Sequence, residues 1–334
     1  MSRPRLIPAP LAAAALVLAL AACAPKVQPS GPFDRAARFD ATALVARDGA
    51  RLPLRVWTPE GPPRAAIAAL HGFNDYTNAF DDAGRAFAKR GIITYAIDQR
   101  GFGRAPGFGI WAGRDAMIND LSALAEQVHA RHAGIPLYLL GDSMGGAVVM
   151  SALARGLNPR PAGAVLVAPA VWGRQALGPV KSAALWLSAH TIPWFRATAE
   201  GLGVTPSDNK AMLRRLGRDP LIIKATRIDA IWGLVNLMDE AQAAAARITV
   251  PVLLLYGRHD EVIPPAPIRT VIKSLTGRGK TRIAVYRSGY HMLLRDLQAA
   301  TPIGDIAGWV INPAAPLVSG ADRDVQGGKA ALPK

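Results

Sequence analysis

IPLYLLGDSMGGAVVM, residues 135–150, passes from one apolar run through Gly-Asp-Ser-Met-Gly into another. Residues 135–140 have the unbroken apolar character of a strand buried on both faces, and 147–155 read as a helix. Between them Gly141, Gly145 and Gly146 leave almost no side chain around Ser143. A glycine-rich turn between strand and helix needs no purpose beyond reversing the chain. The G-x-S-x-G spacing of Gly141, Ser143 and Gly145 gives this turn a second use. It places a serine on a strained strand-to-helix turn, with its hydroxyl above the end of the sheet, where only glycine lets two backbones close up. The pattern alone is weak in a chain with 32 glycines. Its strand, turn and helix context makes it specific, and partners for Ser143 are then required elsewhere.

Working outward, strands alternate with helices. Residues 65–70 and 92–97 read as buried strands, 81–89 as a helix closed by Gly91, and 114–131 as an amphipathic helix. Beyond the turn come a strand over 162–171, a strand in VPVLLLYGRHD (250–260), a helix over 265–275, a last strand TRIAVY (281–286) and a short helix over 303–311. ALVARDGARLPLRVWTP (43–59) reads as a hairpin turning at Asp48-Gly49. This order specifies an α/β fold with a mostly parallel, doubly wound sheet and right-handed crossovers. Residues 172–247 show no strand-like run, and their helical segments carry Trp186, Trp194, Phe195 and Trp232, so they read as a helical insertion. The core is expected over 41–171 and 248–312, a polar linker over 24–40, and a disordered Pro-, Gly- and Ala-rich tail over 313–334.

The formal net charge is +15, yet no block of consecutive Lys and Arg occurs and aromatics are only 6%. That weighs against a nucleic-acid partner and fits weak attraction to anionic lipid surfaces. At the N-terminus Arg3 and Arg5 precede an apolar run over 6–22 that ends in Leu-Ala-Ala-Cys23, the single cysteine. This reads as a secretory signal over 1–23. It resembles the lipobox of bacterial lipoproteins, in which the cysteine becomes the acylated first residue. An exported protein anchored at the periplasmic face of the inner or outer membrane is expected, its linker holding the domain away from the bilayer.

A serine hydroxyl becomes nucleophilic when a base takes its proton and an acid orients that base. On a sheet of this kind the order is Ser, Asp or Glu, His, in loops at the C-terminal ends of strands. Asp260, just past one strand, and His291, after the last, satisfy both conditions. Glu261 is the rival to Asp260. His129 and His132 precede the serine, His190 lies in the insertion, and His259 adjoins Asp260. An oxyanion hole needs backbone N–H groups; Met144 follows the nucleophile, and Phe73 lies in the loop HGFNDYTNAF (71–80). The chemistry requires no metal and no organic cofactor.

With HGFNDYTNAF, DQRGFGRAPG (98–107), LGDSMGGAVV (140–149), PVLLLYGRHDEVIP (251–264) and GYHMLLRD (289–296) in order, the chain resembles the monoacylglycerol lipase and lysophospholipase family of serine α/β-hydrolases. The resemblance implies a helical cap over the active site and cleavage of an acyl ester of a glycerol- or lysolipid-like alcohol. One departure is Asp142, where the family commonly has histidine; it bears on substrate identity more than on mechanism. A proline-type aminopeptidase shares fold and triad and would need acidic cap groups for a substrate amine; Glu200, Asp229, Asp239 and Glu240 are scattered candidates. A haloalkane dehalogenase or epoxide hydrolase would need a carboxylate at 143. A non-catalytic, lipid-binding lipoprotein is the reading from a different class.

Overall fold

The computed structural model describes residues 24–198, 201, 203–276 and 281–323. In chain order its elements are β1 (Arg38–Phe39), β2 (Ala43–Val45), β3 (Arg51–Trp57), β4 (Ala65–Leu70), α1 (Asp81–Ala88), β5 (Ile92–Ile97), α2 (Arg114–Arg131), β6 (Leu137–Asp142), α3 (Met144–Arg155) and β7 (Gly163–Val167). There follow α4 (Arg174–Thr191), β8 (Arg196–Thr198), α5 (Lys210–Arg218), β9 (Ala225–Arg227), α6 (Ile228–Ala244), β10 (Val252–Gly257), α7 (Pro265–Thr276), β11 (Thr281–Tyr286) and α8 (Ala300–Ile311). No described helix is long and apolar enough to cross a membrane.

Among the described residues, nine strands form one sheet in the order β1-β2-β3-β5-β4-β6-β7-β10-β11. The three at the N-terminal edge run antiparallel, and β5 to β11 are parallel. Because side chains alternate across a strand, each parallel strand feeds two cores. Ala66, Ala68 and Leu70 join Leu139, Leu166 and Leu254 under α2, α3 and α6. Ile67 and Ala69 join Leu140, Val167 and Leu255 under α1 and α8. The connection from β4 goes outward to β5 and then returns across to β6, so the order reverses at β4 and β6. Ligands of such sheets bind outside the strand ends at that reversal. A buried ion cluster braces the antiparallel edge: Arg100 donates from Nε and Nη2 to Asp120 in α2, 2.7 Å each, and from Nη1 and Nη2 to Asp48 in the hairpin turn, 2.5 and 2.8 Å.

Several sequence expectations need correction. Strand β6 runs to Asp142 and α3 starts at Met144, because Ser143 alone makes the turn. Strand β7 ends at Val167, where Ala168 takes φ 41° and Pro169 follows. The insertion contains a short antiparallel pair, β8 with β9. Its last helix, α6, also belongs to the core layer, with Leu237, Ala241 and Ala244 fully buried. The segment read as a linker is docked: Val27 pairs with Trp111, and β1 joins the sheet. The expected tail is packed through Arg323. Leu317, Ala321 and Asp322 are buried, Val285 N–H donates to Ala321 O (3.3 Å), and Ser319 hydroxyl donates to Asp305. Cys23, Glu200 and residues 324–334 lie outside the described residues.

Candidate active site

Ser143 sits at φ 51°, ψ −112°, a combination that L-residues rarely adopt. Its neighbours hold it there. Ser143 N–H donates to Val167 O (2.9 Å), and its carbonyl accepts from Ala147 N–H (3.2 Å) and Ala170 N–H (2.9 Å). The flanking glycines are required by contact: a Cβ on Gly145 would lie 2.1 Å from Leu70 O, and one on Gly141 2.5 Å from the Gly145 backbone. The result is a half-buried hydroxyl on a fully tethered backbone.

Asp260 and His291 arrive in loops that follow adjacent strands. Gly257 and Tyr286 are opposite one another in the β10–β11 register, so the loops after them leave the sheet side by side. Arg258 N–H donates to Tyr286 O and His259 N–H to Gly289 O, both at 2.9 Å, which stitches the two loops together. His291 Nδ1–H donates to Asp260 Oδ2 (2.9 Å), and Ser143 Oγ–H donates to His291 Nε2 (3.0 Å). Asp260 Oδ1 accepts from Val262 and Ile263 N–H, at 2.8 and 2.9 Å. Those two bonds keep the carboxylate facing the imidazole. Burial resists charging His291, but the Asp260 carboxylate, with a smaller push from Asp142, lifts its pKa above the ordinary histidine value. A proton on the His291 imidazole is therefore stabilised by its surroundings.

Strand β4 lies beside β6 with Leu70 opposite Gly141, so residues 71–73 and 142–144 emerge together. A Cβ on Gly72 would be 3.3 Å from Ser143 Cβ. Among the described residues neither the Phe73 nor the Met144 amide N–H has a hydrogen-bond acceptor, and both follow directly on this contact. The loop is pinned by His71, which is fully buried. Its Nδ1–H donates to Gly72 O (2.8 Å), its Nε2 accepts from Gln99 N–H (2.9 Å), and the Gln99 side-chain amide donates to His71 O (2.7 Å). Burial lowers the His71 pKa, which agrees with a neutral ring serving as donor and acceptor at once. Asp142 is also buried, its carboxyl pushed up to about 6 by that burial, against the pull of Arg295 and His291.

Gln99, Asp75 and Arg295 were not singled out in the sequence. Arg295 pairs with Asp75 beside the loop of Phe73, and Asp296 accepts from Tyr290 N–H (2.8 Å), the residue before His291. A signal for Gln99 was available in its place two residues past the end of β5. The remaining candidates are engaged elsewhere. Glu261 accepts from Thr205 N–H (2.6 Å), His129 is exposed, His132 bonds Tyr95 hydroxyl (2.8 Å), and His259 stacks on Tyr290. His190 stacks on Trp186 at 4.7 Å within the insertion.

Setting a hydroxyl, an imidazole and a carboxylate in line at the reversal point of a mostly parallel sheet is how α/β-hydrolases activate a serine, and fold and geometry place the chain in that class. Residues 61–298 match the family model described as "Serine aminopeptidase, S33", and the chain belongs to that family. It is 26% identical over 282 residues to the monoacylglycerol lipase of Mycolicibacterium smegmatis, covering 79% of this chain and 94% of that one. It is 28% identical over 283 residues to the monoglyceride lipase of Rattus norvegicus, covering 81% and 90%. A soluble variant of monoglyceride lipase from Saccharomyces cerevisiae, solved with a substrate analog, superposes with a TM-score of 0.68 at 20% identity, covering 85% of this chain and 96% of that one. The chain is a serine ester hydrolase.

Proposed function

We propose that the chain hydrolyses the carboxylic ester of a lipid-like substrate, a monoacylglycerol or lysophospholipid, through Ser143, His291 and Asp260. The observation that carries this reading is the continuous line of hydrogen bonds from Ser143 Oγ through His291 to Asp260. Ser143 Oγ attacks the ester carbonyl while His291 Nε2 takes its proton. Asp260 orients the ring and stabilises the imidazolium, and the Phe73 and Met144 amides bind the oxyanion. His291 then protonates the leaving alcohol, and water, activated in its turn by His291, releases the acid from the acyl-enzyme. No metal or organic cofactor enters these steps.

The lipid substrate class rests on the lipases to which the chain is similar and on an insertion rich in apolar side chains. The family description keeps an aminopeptidase reading in view. Against it, the candidate acids among the described residues are already paired: Asp229 with Arg227, Asp239 with Arg174, and Glu240 with Arg155 and Arg114. We also propose that Cys23 is acylated after export, which would anchor the enzyme at a membrane on the periplasmic side, and that no nucleic acid takes part.

The test is reaction of the purified protein with a fluorophosphonate probe and mapping of the labelled peptide, followed by hydrolysis assays on monoacylglycerols, lysophospholipids and aminoacyl amides. Labelling at Ser143, abolished in Ser143→Ala, with turnover of acyl glycerols is expected. A folded protein that resists the probe would return weight to the non-catalytic lipid-binding reading, and turnover of aminoacyl amides alone would favour the aminopeptidase.

A further inference from the structure

Residues 26–28 tie the insertion to the core. Lys26 N–H donates to Asp229 Oδ2 (3.1 Å) at the start of α6. Val27 pairs with Trp111, and Gln28 N–H donates to Trp111 O (2.8 Å). The Gln28 side-chain amide donates to Ile110 O (2.7 Å) and Gly107 O (3.3 Å). The seat is shaped for it: a Cβ on Gly107 would fall 2.2 Å from Gln28 Cδ. Asp229 is itself buried and fixed by Arg227. Pro25 and Pro29 flank the strap and restrict it to extended conformations.

The Lys26 end of this strap is joined through Asp229 to a segment with large apolar side chains open to solvent. Asp229 N–H donates to Pro193 O (3.3 Å) and Ile228 N–H to Phe195 O (2.9 Å), so residues 192–195 lie beside the docking point. There Ile192, Trp194 and Phe195 are 42%, 54% and 55% exposed. Val27 and Phe108, next to the Gly107 that Gln28 grips, are half-exposed as well. A clustered apolar tip of this kind on a water-soluble surface marks an interaction site. Tryptophan and a basic net charge match the interfacial zone of an anionic bilayer.

We infer that residues 26–28 are an orienting strap, which holds the apolar tip at 192–195 against the same anionic phospholipid surface into which an acylated Cys23 inserts. The inference rests on the acylation proposed above. Its geometry follows from chain length. A free segment over 24–40 would reach about 60 Å, whereas the three residue steps from Lys26 back to Cys23 span at most about 11 Å. With the strap docked, acyl chains and apolar tip must share one surface. The bilayer is thus brought to the insertion instead of being held away from it.

The test uses the full chain as it matures in a bacterium, reconstituted into phosphatidylglycerol and phosphatidylethanolamine vesicles with and without brominated acyl chains. Intact mass, compared with Cys23→Ala, reports acylation, and bromine quenching of tryptophan fluorescence, compared with Trp194→Phe, reports the tip. Acylation together with quenching that Trp194→Phe at least halves is the expected result. The double variant Lys26→Pro, Gln28→Ala should also at least halve it, while fluorophosphonate labelling of Ser143 is retained. Acylation without Trp194-dependent quenching overturns the strap orientation and leaves the anchor standing. Absence of acylation overturns the anchor and the shared surface with it. Shielding of Trp194 in whole membranes but not in lipid vesicles would assign the tip to a membrane protein and overturn the inference.

Discussion

Replacing Ser143 by glycine is expected to give a more stable protein than replacing it by alanine, the reverse of the usual order. Both variants lose the hydroxyl and its bond to His291, so that loss, about 1 kcal/mol, cancels in the comparison. What remains is backbone. At φ 51°, ψ −112° a residue with a Cβ carries about 1–3 kcal/mol of strain that glycine does not. Against this, glycine loses about 0.4–1 kcal/mol more chain entropy than alanine on folding. The difference favours Ser143→Gly by roughly 0.5–2 kcal/mol, or about 1–3 °C in melting temperature for a domain of this size. Thermal unfolding of both purified variants by circular dichroism or calorimetry measures it directly. If Ser143→Gly melts at or below Ser143→Ala, the nucleophile position stores no strain and the account of the turn is wrong.

Two further outcomes follow from buried charge. In the proposed mechanism His291 must be neutral to accept a proton, so activity is expected to fall as pH drops through its raised pKa; the Asp142 carboxylate favours the imidazolium. Asp142→Asn should therefore move the acid limb of the kcat/KM profile to lower pH, by about half a unit to one unit for a coupling near 1 kcal/mol. A limb that stays put or moves upward would remove Asp142 from the electrostatics of the site. Arg100→Met leaves the carboxylates of Asp48 and Asp120 buried without their cation, a loss of about 3–5 kcal/mol in denaturant unfolding. Adding Asp48→Asn and Asp120→Asn should recover much of it, and an Arg100→Met loss below about 1 kcal/mol contradicts the buried-cluster account.

Features set by local pattern were legible from the sequence. The elbow around Ser143 was visible because the glycine requirement is written in consecutive residues, and β4 and β5 because short, almost wholly apolar runs bounded by turn residues read as buried strands. Asp260 and His291 were reachable because strand ends carry them at the face where the serine emerges. Other features depend on partners distant in the chain. The docking of Lys26 and Gln28 uses mostly backbone amides and carbonyls, which every residue possesses. Strands β8 and β9 have three residues each, too few for a period to show. The packing of residues 313–323 depends on single bonds such as Ser319 to Asp305 inside a segment whose composition reads as loose. Gln99 and Arg295 act through His71 and Asp75, and a pairing across such separations leaves no mark in either stretch.

The stitched loops after β10 and β11 have an evolutionary consequence. His259 to Gly289 and Arg258 to Tyr286 make Asp260 and His291 one cassette, bounded by β10 at one side and the segment around His291 at the other. Ser143 belongs to a second cassette built on β6 and α3. The two meet at the bond between Ser143 Oγ and His291 Nε2. Recombination with a related gene that exchanges residues 252–297 as a block would carry the spacing between imidazole and carboxylate intact and leave one catalytic distance to be re-established, whereas a crossover between 260 and 291 would have to rebuild both.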